Sequence, residues 1–211
     1  MKVILVNGSP HPHGCTYTAL DEIAKTLSKE GIEAQIFQVG VKPLAGCISC
    51  HKCAELGKCV FDDRVNEFTE AAAEADGFVF GSPVHYASAG GAITSFMDRA
   101  FFSTMLSGRR SVFYLKPAAA VVSARRAGTT ATMDQLNKYF TISEMPVISS
   151  KYWNMVHGFT PDDVRQDLEG MQVMRVLARN MAWFLKCKEA GQKAGVALPE
   201  REEPVMTNFI R

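Results

Sequence analysis

The sequence predicts an α/β protein: a doubly wound, five-stranded parallel sheet with helices on both faces. Two observations carry this. Strand and helix signals alternate along the chain, and the first strand signal, Val3-Ile4-Leu5-Val6, is an unbroken apolar run of the kind found where both faces of a strand are covered. A third supports them: the first and third strands run into the turns Asn7-Gly8-Ser9 and Gly81-Ser82-Pro83, at the sheet edge where such folds hold ligands.

The elements follow in order. Leu20, Ile23, Ala24 and Leu27 form a helical stripe that Gly31 stops. Ala34 to Phe37 reads as the second strand, and a cysteine-rich segment comes next. Asp63 to Ala75 favours helix, and Gly77 to Phe80 reads as the third strand. Ile93, Phe96, Met97 and Ala100 mark another helix, Ala118 to Val122 the fourth strand, and Thr130 to Tyr139 a short helix. Val147-Ile148-Ser149 is expected to be the fifth strand. Thr160-Pro161-Asp162-Asp163 combines an N-cap hydroxyl, a proline at the first helical position and an acid three residues on. From there a single long helix is expected, with apolar residues from Val164 to Leu185 at helical spacing.

The bulk numbers exclude several classes. The chain has 211 residues, 23 basic and 22 acidic side chains and a formal charge of +1, so it carries no electrostatic footprint for nucleic acid or a membrane surface. No apolar run approaches the roughly 20 residues of a spanning helix, and the first strand leads straight into Asn7-Gly8, unlike a secretory signal. A cytoplasmic location is expected. A chain of this size buries enough apolar surface to fold without disulfides.

Four of the six cysteines, Cys47, Cys50, Cys53 and Cys59, fall within 13 residues, which points to metal or redox chemistry rather than a disulfide frame. Four thiolates from one compact loop suit an iron-sulfur cubane. Zinc also takes four thiolates, though structural zinc sites usually set two Cys-x2-Cys pairs further apart. Unmetallated thiols are the third reading. Cys187 stands apart as a packing residue.

The loop from Gly8 to Thr16 sits in the first βα turn, where backbone N–H groups and hydroxyls at a helix N-terminus make an anion site. Gly8-Ser9-Pro10 followed by Gly14-Cys15-Thr16 resembles the phosphate loop of the NADPH-dependent FMN reductase family, which usually reads Gly-Ser-Pro-Arg-x-x-Gly-Asn-Thr. The resemblance implies a flavodoxin-like fold and places Ser9, His11, Cys15 and Thr16 at the FMN phosphate. Two positions depart from the pattern, His11 for arginine and Cys15 for asparagine, so backbone donors are expected to hold more of the phosphate. Gly81 to Ser88 is similar to the family's second flavin loop, which implies that Pro83, Val84, His85, Tyr86 and Ala87 line the flavin ring and ribityl chain. Phe96-Met97-Asp98-Arg99 matches the family's usual helix ending. By the same resemblance the segment from Ser123 to Thr129 is the third flavin loop, with Ser123 and Arg125 near the ring, and Trp153, Asn154 and His157 cover the flavin.

The cysteine segment resembles that of the iron-sulfur flavoproteins, a branch of the same family. The chain is thus expected to be one FMN-binding domain over residues 1–190, with a cysteine-rich insertion at 43–62 and a tail at 191–211. What the resemblance implies is an FMN-dependent oxidoreductase carrying a [4Fe–4S] cluster, with no side chain acting as nucleophile because the flavin performs the chemistry. Its electron donor would be ferredoxin or NAD(P)H, its acceptor a small molecule, and its assembly a homodimer or homotetramer. A cluster-free NAD(P)H-dependent FMN, quinone or azo-dye reductase is the alternative enzyme. A redox or zinc sensor built on the cysteine loop is the alternative outside enzymes.

Overall fold

A computed structural model describes residues 1–207 of the chain, so the last four residues of the expected tail lie outside the described residues. Five strands form a parallel sheet: β1 (Lys2–Asn7), β2 (Glu33–Gln38), β3 (Gly77–His85), β5 (Ala118–Ala124) and β6 (Met155–His157), in the order β2-β1-β3-β5-β6. A two-residue strand, β4 (Ser88–Ala89), folds back antiparallel onto the end of β3. The helices are α1 (Cys15–Lys29), the single turn α2 (Cys53–Leu56), α3 (Arg64–Ala73), α4 (Gly91–Leu106), α5 (Thr129–Ile142), α6 (Pro161–Gln166) and α7 (Leu168–Lys193). The chain then runs without regular structure through the described tail.

Each face of the sheet buries its own apolar layer. On one face Ile4, Val6, Phe78 and Phe80 meet Phe68 of α3 and Phe96, Met97 and Ala100 of α4. On the other Val3, Leu5, Val79 and Val121 meet Leu20, Ile23 and Leu27 of α1 and Met174, Leu177 and Met181 of α7. Alternate residues of β1 therefore serve opposite cores, which is why its run has no polar break. The strand order reverses direction between β1 and β3, so the open crevice at the carboxyl ends of these two strands is the switch point of the sheet.

Two expectations need correction. Val147 to Ser149 is not the fifth strand: Val147 makes one isolated bridge to Ala118. The main-chain bonds of Ala118 go to Pro146 and Ile148, the chain then leaves the sheet, and it returns to pair Met155, Val156 and His157 with Val122, Ser123 and Ala124. The final helix is also two helices. Asp167, with ψ 77°, breaks the run because its carboxylate accepts from Gly170 N at 2.9 Å and from His157 N at 2.7 Å. It caps α7 and ties that helix to β6 at once. The start of α6 is as expected: Thr160 Oγ1 accepts from Asp163 N, and Asp163 accepts from Thr160 N in return.

Candidate functional site

Three loops meet at the carboxyl edge of the sheet. The first, Gly8 to Gly14, is wound on side-chain bonds. Ser9 N donates to Asn7 Oδ1 at 3.1 Å, His11 N donates to Ser9 Oγ at 3.1 Å, and Gln38 of β2 donates to Ser9 O at 2.7 Å. Gly8 permits this loop to press against its neighbours: a Cβ there would stand 2.6 Å from Cβ of Ile93 and 2.7 Å from the Gly81 carbonyl. No side chain caps α1, and the amides of Thr16 and Tyr17 have no acceptor among the described residues. No acidic residue lies in the first turn of α1. These amides and the positive end of the helix dipole make an anion site.

The residues expected at the phosphate are placed differently from one another. Ser9 and Thr16 are buried, His11 is exposed, and Cys15 is half-buried with its thiol donating to the Gly158 carbonyl at 3.7 Å. Burial pushes the Cys15 thiol up, and Asp163 adds to this. The Thr16 hydroxyl lies 2.8 Å from Ser123 Oγ. Two residues 107 positions apart thus join the first loop to the third, so Thr16 reaches an anion chiefly through its amide.

The second loop is a tight hairpin. Tyr86 and Ala87 adopt φ of 50° and 60°, a left-handed pair that reverses the chain between His85 and Ser88. Such conformations are costly for residues other than glycine and collect at ligand sites. The Tyr86 ring is fully exposed, which rules out a core role for it. Gln135 of α5 holds the hairpin from behind, accepting from Ser88 Oγ at 2.7 Å and Ala89 N at 3.1 Å. The third loop closes over it at Gly128, where φ is 91° and a Cβ would come within 2.6 Å of Ala87 Cα. Pro83 and Val84 are half-buried, His85 and Arg125 exposed, and Ser123 buried. Tyr152, Trp153 and Phe159 stand exposed on the segments flanking β6. Asn154 is buried, and its Oδ1 has no hydrogen-bond partner among the described residues.

A second cluster lies under α4. Cys47, Cys50, Cys53 and Cys59 all line one small recess, together with Arg99, Phe102 and Ser103 of α4. Burial raises the Cys53 thiol, and the proximity of Cys59, Cys50 and Cys47 raises it further. No three His, Cys, Asp or Glu side chains among the described residues surround one point closely enough for a single metal ion. Two residues that the motif did not single out build this site. Asn66, buried on α3, accepts from Cys59 N and donates to the Cys59 and Phe61 carbonyls, all at 3.0 Å. Arg99, 1% exposed, donates from Nε to Cys59 Sγ at 3.2 Å and forks onto Asp63 at 2.7 and 2.9 Å. The sequence signal for Arg99 was its place in the Phe96-Met97-Asp98-Arg99 motif, which lies in the middle of α4 rather than at its end. Nothing in the sequence marked Asn66. An apolar cavity of ≈ 350 Å³ adjoins Cys47 on its other side, walled by Phe101, Phe102, Phe113 and Tyr139, and none of the expected flavin residues lines it.

The family model of the NADPH-dependent FMN reductases matches residues 1–160. The chain belongs to this family. An iron-sulfur flavoprotein from Methanocaldococcus jannaschii is 32% identical over 191 residues, covering 88% of this chain and 98% of the relative. An iron-sulfur flavoprotein from Clostridioides difficile is 30% identical over 130 residues, covering 60% of this chain and 56% of the relative. Among solved structures, RosB with a bound riboflavin-phosphate intermediate superimposes with a TM-score of 0.68 at 15% identity, over 100% of this chain and 94% of that one. The NAD(P)H:(acceptor) oxidoreductase FerB from Paracoccus denitrificans gives 0.65 at 15% identity, over 88% and 97%. These structures and an archaeal flavodoxin (TM-score 0.58, 15% identity, 88% and 99%) bear out the flavodoxin-like fold. The family reductase is thus a flavin-dependent oxidoreductase that uses FMN. No helix among the described residues is long and apolar enough to cross a membrane.

Proposed function

We propose that this family member carries a [4Fe–4S] cluster on Cys47, Cys50, Cys53 and Cys59 beside its FMN, and passes electrons between a reduced donor and a small-molecule acceptor. The observation that carries this reading is the convergence of all four cysteines on one recess. The donor set suits the group in its chemistry: four thiols line one recess, with a buried cation beside them to offset thiolate charge. The name iron-sulfur flavoprotein, borne by relatives such as the M. jannaschii protein, supports it further.

FMN fits the loops at the switch point. The open amides of Thr16 and Tyr17 and the Ser9 hydroxyl suit its phosphate, and the strained hairpin at Tyr86 and Ala87 suits its ring. When bound, the flavin supplies the exchange between one- and two-electron chemistry, and the cluster supplies one-electron transfer. The chain's own residues bind and orient. The first loop fixes the anion, Gly128 seals the third loop against the hairpin, and Tyr86, Trp153 and Phe159 offer apolar rings that exclude water. Helix α4 joins the two sites. It starts two residues after β4, and Arg99 lies about 12 Å further along its axis at about 1.5 Å per residue. Ferredoxin or NAD(P)H is the donor in this reading, and a homodimer or homotetramer in the cytoplasm is the form in which it works.

The test is an absorption spectrum with iron and sulfide analysis on protein purified and reconstituted without oxygen. About four irons and four acid-labile sulfides per chain are expected beside bound FMN. Protein that binds FMN and retains no iron is a cluster-free reductase, and that result overturns the proposal.

A further inference from the structure

Arg99 is the one buried arginine among the described residues, and every one of its N–H groups is used. A guanidinium has five donors. Nε bonds Cys59 Sγ at 3.2 Å, one terminal nitrogen bonds Asp63 Oδ2 at 2.7 Å and the Ala45 carbonyl at 3.4 Å, and the other bonds Asp63 Oδ1 at 2.9 Å and the Phe61 carbonyl at 3.3 Å. The Phe61 ring stacks 4.8 Å from the guanidinium carbon. These partners lie on both sides of the cysteine segment: Ala45 precedes Cys47, and Cys59, Phe61 and Asp63 close it. Burial opposes the charge on Arg99, and the bonds to Asp63 and Cys59 outweigh it, so the pKa of the side chain is raised. The ion pair with Asp63 is geometrically complete, a two-pronged fork onto one carboxylate.

A pair needed only to fix the loop would have no use for a donor aimed at sulfur. The fork onto Asp63 and the two carbonyl bonds already clamp both ends of the segment. The fifth donor points instead at the one cysteine that ends the motif. Hydrogen bonds to the sulfurs and local charge are what set the potential of a thiolate-bound iron-sulfur centre. We propose that Arg99 is a positioning and tuning residue for the sulfur centre: its N–H to Cys59 and its buried charge raise the reduction potential of the group held there, and Asp63 sets how much of that charge the centre feels. This inference rests on the cluster reading above and goes beyond it by assigning control of its potential to one residue pair.

The two partners of the pair predict opposite signs. Removing the arginine charge and its N–H to sulfur stabilises the oxidised, more positive form of the centre. Removing the Asp63 charge leaves Arg99 uncompensated and stabilises the reduced form. A purely structural clamp moves neither potential, or moves both the same way through loosening of the loop. Asn at position 63 keeps the N-cap of α3, where Asp63 now accepts from Val65 N, so the helix start is preserved.

The experiment uses full-length, FMN-loaded protein reconstituted without oxygen, as wild type, Arg99→Lys, Arg99→Gln and Asp63→Asn. Iron content, far-UV circular dichroism and the electron paramagnetic resonance signal of the reduced state are recorded first, then the midpoint potential by mediated titration. The expected result is a more negative potential in Arg99→Gln, a smaller negative shift in Arg99→Lys, and a positive shift in Asp63→Asn, each with wild-type iron content. Should Arg99→Gln fail to fold, the opposed signs of Arg99→Lys and Asp63→Asn decide the matter. Iron-replete variants with the wild-type potential, or shifts of one sign in all, overturn the assignment to Arg99 alone. A wild type that retains no iron overturns the cluster reading and this inference with it.

Discussion

Ser9 shows how far a single residue was legible. Its place after the first strand and before a helix marked it as a phosphate donor, and the structure puts it in a loop whose next helix leaves the Thr16 and Tyr17 amides open. The pairing of Thr16 with Ser123 was not legible, because it joins two loops that only the sheet brings together. Arg99 was legible as part of a motif and illegible as a partner of Cys59, for the same reason: a buried guanidinium is defined by acceptors from two separate stretches of chain, at Ala45 and at Cys59 to Asp63. Loss of the Ser9 hydroxyl leaves a charged phosphate one donor short and disturbs the bond from His11 N, whereas Thr16→Ala removes a hydroxyl shared with Ser123 and keeps the amide. The double variant Ser9→Ala, Thr16→Ala is expected to bind FMN more weakly by about 1–3 kcal/mol, most of it from Ser9. Titration of flavin fluorescence checks this, and equal affinity in wild type and double variant removes Ser9 from the site.

Elements were read best where local chemistry decides them. The capping box at Thr160 and the helix start at Asp63 came through because a cap is an interaction of residues two or three apart. The fifth strand was misplaced because Val147 and Ile148 have strong strand preference, while Met155-Val156-His157 is short and follows a polar loop. What decides the ladder is the free edge of β5 at Val122 to Ala124, which only the returning chain can reach. The break at Asp167 was hidden for a related reason, since it depends on a bond to His157 ten residues away. Asp163 gives the element its pH dependence. Bonds from Thr160 N and Phe159 N hold its carboxyl below the ordinary value of 3.8. A group depressed in the folded state adds stability that is complete above its unfolded pKa and is lost as pH falls through the folded one. The difference in melting temperature between wild type and Asp163→Ala is therefore expected to be constant near neutral pH and to shrink below the ordinary carboxylate range. A difference that grows on acidification contradicts the cap.

At the scale of the whole molecule the two sites share a helix and little else. The loops proposed to hold the flavin follow β1, β3 and β5 and are fixed by the sheet. The cysteine recess is built by a segment that joins β2 to α3 and is clamped onto α4 through Arg99 and onto α3 through Asn66. The alternation of strands and helices made the first arrangement readable, since switch-point geometry follows from strand order. The second was readable only as a spacing of cysteines, because a loop without regular structure takes its shape from tertiary bonds. This separation has a thermodynamic consequence. A ligand that binds only the folded state stabilises it by RT ln(1 + [L]/Kd), about 2.7 kcal/mol at a hundredfold excess over Kd. FMN is thus expected to raise the melting temperature of wild type and of a Cys47→Ala, Cys50→Ala variant by similar amounts, because neither cysteine touches the flavin loops. In the Ser9→Ala, Thr16→Ala variant the same FMN concentration gives a smaller rise, while reconstituted iron stays at the wild-type level. Calorimetry with and without FMN, alongside iron analysis, reads both effects. If the double-cysteine variant loses its FMN response, the recess and the flavin crevice form one cooperative unit, and α4 transmits the state of each site to the other.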